Sequence, residues 1–163
     1  MKLASTRIAL GALFLLGAAT SMLCRSSAFA QPLAPTEAVI REVPFQTLRS
    51  GARSNCARPA KMIIGDEREW RRVWRVHDEK TEAPQVDFAR SRVIALLAGK
   101  GGAPLGLVQV ASAREQITVF FHRGAATTST STPFHFALIE KTGSEARFID
   151  QNGEVCAVCH ITE

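Results

Sequence analysis

The chain closes on Cys156-Ala157-Val158-Cys159-His160, a C-x-x-C-H sequence followed by only three residues. In c-type haem proteins this spacing carries a covalent porphyrin, with thioethers to both cysteines and the adjacent imidazole as an iron ligand. It suits one helical turn, which brings both sulfurs to one side. With haem c bound at Cys156, Cys159 and His160, the protein would be a mono-haem electron carrier or sensor. The same atoms also serve a plainer chemistry. Cys56 paired with Cys156 or Cys159 would close a loop of about 100 residues, worth about 4.7 kcal/mol in the chain-entropy model. Alternatively, Cys156 and Cys159 pair with each other and leave Cys56 alone.

The residues favour a disulfide or simple thiol over haem, because a macrocycle needs an apolar pocket and little chain remains to build one. A thioredoxin-like role requires a helix after the first cysteine, to lower its pKa. Zinc held by three cysteines and His160 would use the adjacent Cys159 and His160 as awkward tetrahedral ligands. His160 is therefore a metal ligand only if haem is present, and no cofactor is the first expectation.

The redox compartment bears on this choice. Lys2 and Arg7 precede the apolar run Ile8 to Leu16, and Ala28-Phe29-Ala30 is a small-residue cleavage site. Residues 1–30 thus read as a signal peptide, with export to the periplasm or medium and no stable membrane span after cleavage. The formal charge of +5 includes Lys2, Arg7 and Arg25, so the mature chain has 17 basic and 15 acidic residues. That balance does not point to nucleic acid. Cleavage also removes Cys24. Three cysteines remain in an oxidising compartment, an odd number that leaves at least one free, intermolecular or modified.

The elements that would position these groups follow from periodicity. Residues 31–42 read as an N-terminal leader and 151–163 as a C-terminal tail, with one domain between them over 43–150. Asp66 caps a helix, with Glu69 three residues on in the manner of a capping box. Trp70, Val73, Trp74 and His77 recur on one helix face, and Arg68, Arg71, Arg72 and Arg75 on the other, read as a solvated stripe. Strands are expected at Phe45 to Leu48, Lys61 to Ile64, Arg92 to Ala98, Leu105 to Ala111, Gln116 to His122, Phe134 to Glu140 and Ala146 to Ile149. Cys56 falls in a turn-rich stretch. Alternation with Phe134 and Phe136 sends His135 outward. The class expected is α+β, an antiparallel sheet of about five to seven strands with one amphipathic helix packed on it.

The order of several landmarks resembles the PrcB C-terminal-like domain family. They are Val43-Pro44-Phe45-Gln46-Thr47-Leu48 with Gly51, then Trp70 and Trp74, Val86-Asp87-Phe88, Val93-Ile94-Ala95, and Thr132-Pro133-Phe134-His135-Phe136 with Lys141. The resemblance covers roughly Val43 to Asp150. Gly99 to Leu107 departs from it, keeping glycines where the family has T-G-G-Y but lacking the aromatic. The resemblance implies an exported, non-catalytic domain, named for a subunit of a secreted protease complex, that contacts another exported protein. It implies no catalytic residue and no cofactor. The residues agree in offering no G-x-S-x-G elbow, H-E-x-x-H or P-loop. Three functions are therefore weighed: an interaction or stabilising module, a haem c carrier, and a disulfide-stabilised structural protein.

Overall fold

The run Arg92-Val93-Ile94-Ala95-Leu96-Leu97 is apolar without alternation, the pattern of a strand covered on both faces. The computed structural model, which describes residues 38–125 and 130–160, shows what covers it. Strand β4 (Ser91–Leu97) buries Val93, Ala95 and Leu97 with Trp70 and Trp74 of the helix, and Ile94 and Leu96 against a second sheet. The signal-peptide reading and most of the leader lie outside the described residues.

Two sheets share the inner core. One has the order β2 (Phe45–Gly51), β7 (Phe134–Glu140), β4 and β3 (Ala60–Ile64), all antiparallel. The other runs β1 (Arg41–Glu42), β5 (Leu105–Ala113), β6 (Gln116–Arg123), β8 (Glu145–Ile149) and β9 (Val155–His160). The class is α+β, as periodicity indicates, and all seven expected segments are strands. The single expected sheet is corrected to two, with nine strands in all among the described residues. After β6 the chain crosses to the other sheet as β7 and returns as β8, so β6 and β8 lie parallel. Such a pair needs a crossover, which alternation within a strand does not encode.

Helix α1 (Glu67–His77) begins where Asp66 accepts the Glu69 amide at 2.8 Å. Trp70, Trp74 and His77 are buried on the four-stranded sheet, and the Trp70 ring meets Phe136 edge-on at 5.2 Å. Both indoles also donate outward, Trp70 to the Pro84 carbonyl and Trp74 to that of Thr81, each at 2.9 Å. These bonds satisfy two buried donors and pin the chain after the helix across its face. No helix among the described residues is long and apolar enough to cross a membrane.

His135 corrects the outward assignment. Phe134 and Phe136 face the helix, which puts His135 on the face of β7 that the second sheet covers. It is half-buried, with Nε2 3.3 Å from the Thr47 hydroxyl. Alternation correctly separates the two faces of the strand, but in a three-layer fold neither face is solvent.

Candidate functional site

Residues 154–160 leave β8 through a turn that Asp150 organises. Its buried carboxylate accepts the amides of Asn152 and Glu154, and Gly153 adopts φ +79°. The segment read as a tail therefore folds back as β9, antiparallel to β8, with Cys159 opposite Ala146 and His160 opposite Glu145. The C-x-x-C-H residues run extended and not as the helical turn their spacing suits. The strand is fixed by pairing, which local spacing does not reveal. The side chains of Cys159 and His160 lie outside the described residues.

Cys156 is half-buried against the core between the sheets. Its Sγ accepts from Arg123 at 3.0 Å and donates to the Glu154 carbonyl at 3.5 Å. A thioether to haem would remove that thiol from both partners and draw it off the core. Cys56 is buried elsewhere, beside Trp70, Trp74 and Phe134 on the helix side. Both are free thiols. The four-stranded sheet stands between their clusters, while a disulfide needs Cβ atoms about 4 Å apart, so in this structure Cys56 and Cys156 are not placed to pair.

A second constellation lies at the C-terminal end of α1. Arg49, Arg53, Ser54, Asn55, His77, Asp78, Lys80 and Phe134 line a cavity of about 240 Å³. The His77 ring is tilted against Phe134, with ring centroids 4.1 Å apart, and its Nδ1 is 2.8 Å from Ser54 Oγ. Ser54 is itself held at three points: its amide donates to the Thr132 hydroxyl, that hydroxyl donates to the Ser54 carbonyl, and its Oγ accepts the Cys56 amide. Burial holds the His77 pKa below the ordinary histidine value; Asp78 opposes this and Arg49 adds to it. The Asp78 carboxyl is also lowered, first by the Thr81 hydroxyl bond and then by the Lys80 amide.

No family model matches the chain, and no curated protein or solved structure matches it either. Sequence reasoning placed His77 on the buried helix face but missed its pairing with Ser54, 23 residues earlier, and the three cations around it. No local pattern joins those segments. The β8–β9 hairpin did leave a signal: Asn152-Gly153 between two apolar alternating runs is a turn sequence.

Proposed function

We propose that this is an exported interaction module that receives an extended segment of a partner protein along the outer edge of β9. The observation that carries the reading is the character of that edge. β9 is the last strand of its sheet and pairs on one side only among the described residues. Val155 and Val158 are 49% and 60% exposed, and the strand contains no lysine, arginine or proline. Soluble proteins usually blunt such edges with charge or proline, because unpaired amides and carbonyls accept another strand. Strand addition uses those groups for affinity and alternate side chains for selectivity.

The N-terminal signal pattern supports an exported setting, and the resemblance to the PrcB C-terminal-like family supports a role by contact, without a catalytic step. The test places a photo-crosslinking residue at Val158 of the exported full-length chain, with exposed Val76 on α1 as control. Adducts specific to Val158 would be identified, and the purified partner should slow amide exchange across β9. Identical adducts from both positions, or no protection of β9, would overturn the reading.

A further inference from the structure

The cavity at the end of α1 is cationic at its rim and carries an unused ring nitrogen in its wall. Arg49 comes from β2, Arg53 from the following loop and Lys80 from the chain after the helix. Asp78 is the one lining acid, and its oxygens are already taken by the Lys80 amide at 3.1 Å and the Thr81 hydroxyl at 2.8 Å. Arg49 approaches Asp78 only to 4.0 Å and lies over the Trp74 ring, 5.4 Å from its centroid. Arg53 and Lys80 have no carboxylate partner among the described residues. Against these three positive charges stand one aspartate and the helix C-terminus, equivalent to roughly half a negative charge. The balance favours an anion.

The His77 ring, 3% exposed, forms part of the wall. Ser54 Oγ accepts the Cys56 amide and, with its own proton and a second lone pair, can donate to or accept from Nδ1 of His77. Nε2 makes no hydrogen bond among the described residues, and it is a donor in the Nε2–H tautomer and in the protonated ring. Three lining cations, the His77 ring and the apolar Phe134 ring beside them match a carboxylate attached to a short carbon chain. At about 240 Å³ the cavity lies below the usual range for drug-sized ligands, about 300–1,000 Å³, and is suited to one side chain or chain terminus.

From this geometry we infer that the end of α1 is a carboxylate-binding site for a peptide, through either an Asp or Glu side chain or a free C-terminus. The site is distinct from the β9 edge and does not depend on strand addition there.

The test titrates the full mature chain, labelled for NMR, with three probes: an acetylated Ala-Ala-Phe peptide with a free C-terminus, its amide, and an amidated Ala-Glu-Ala peptide. Inorganic phosphate is the fourth. Saturable shifts of the His77 ring with either carboxylate peptide, absent with the plain amide, are expected, and the peptide that acts identifies the source of the carboxylate. An Arg53→Gln/Lys80→Gln double variant, altered only at exposed positions, should melt like the parent and bind about tenfold or more weakly. Equal binding of the amide, binding of phosphate alone, or unchanged affinity in the double variant would overturn the assignment.

Discussion

His77 Nδ1 and Ser54 Oγ stand 2.8 Å apart, joining the last turn of α1 to the loop after β2. The Asn55 amide donates to the His77 carbonyl at 2.9 Å, so the two segments are fastened by ring and backbone together. This contact ties the buried helix to the loop that carries Cys56, and it makes the fold sensitive to the charge of one imidazole.

Stability should fall on mild acidification. His77 and His135 both sit below the ordinary value of 6.5, with burial the leading cause in each; the charge of His122 adds to the effect on His135. The unfolded chain takes up protons near 6.5 that the folded chain resists. The stabilisation is therefore complete above 6.5 and is lost as pH falls below it toward the folded pKa values. Urea midpoints at about pH 7.5 and about pH 5.5 check this, and His77→Gln should flatten the dependence. Equal midpoints at the two pH values would refute it.

Trp74→Ala should cost about 3–5 kcal/mol, because it empties the space between α1 and Phe136 and releases the Thr81 carbonyl. Denaturant unfolding measures the loss directly. A variant as stable as the parent would mean that the helix does not rest on this ring.

Ending the chain after Glu154 should destabilise it by about 2 kcal/mol or more, since β8 loses a partner and Cys156 and Ala157 leave the inner core. A dispensable appendage would leave the melting temperature unchanged. Thermal unfolding of the truncated and complete chains separates the two outcomes.

Protein exported from a host with haem-attachment machinery should have the mass of the bare polypeptide and no Soret band. Haem on Cys156 would require the thiol to leave Arg123 and the edge of the core. A mass heavier by one haem, with a Soret band, would show that β9 is not paired in the exported protein.

Gly99→Ala should cost about 1–3 kcal/mol. The residue has φ +74°, and an added Cβ would lie 2.8 Å from the Pro59 nitrogen. The contact joins the glycine-rich turn to the Cys56 loop, where the Lys100 amide donates to the Ala57 carbonyl at 3.0 Å. Chemical denaturation of this single variant is sufficient to check it.

Local physics made much of the molecule legible. The 3.6-residue spacing of Trp70, Trp74 and His77, with Asp66 before them, specifies the helix and its buried face because both signals act within a few residues. Alternation or continuous apolarity marks seven strands for the same reason, and those strands with one helix determine the α+β class. Tertiary structure alone decided what each face meets. It split the strands between two sheets, carried β7 across to make β6 and β8 parallel, and turned His135 toward the second sheet. It made the C-x-x-C-H segment an edge strand and set Cys56 and Cys156 on opposite sides of a sheet. It also gathered Arg49, Arg53 and Lys80 around Ser54 and His77. Periodicity records which side chains seek burial, while the partner that buries them is chosen by long-range pairing, which leaves no mark at short sequence separation.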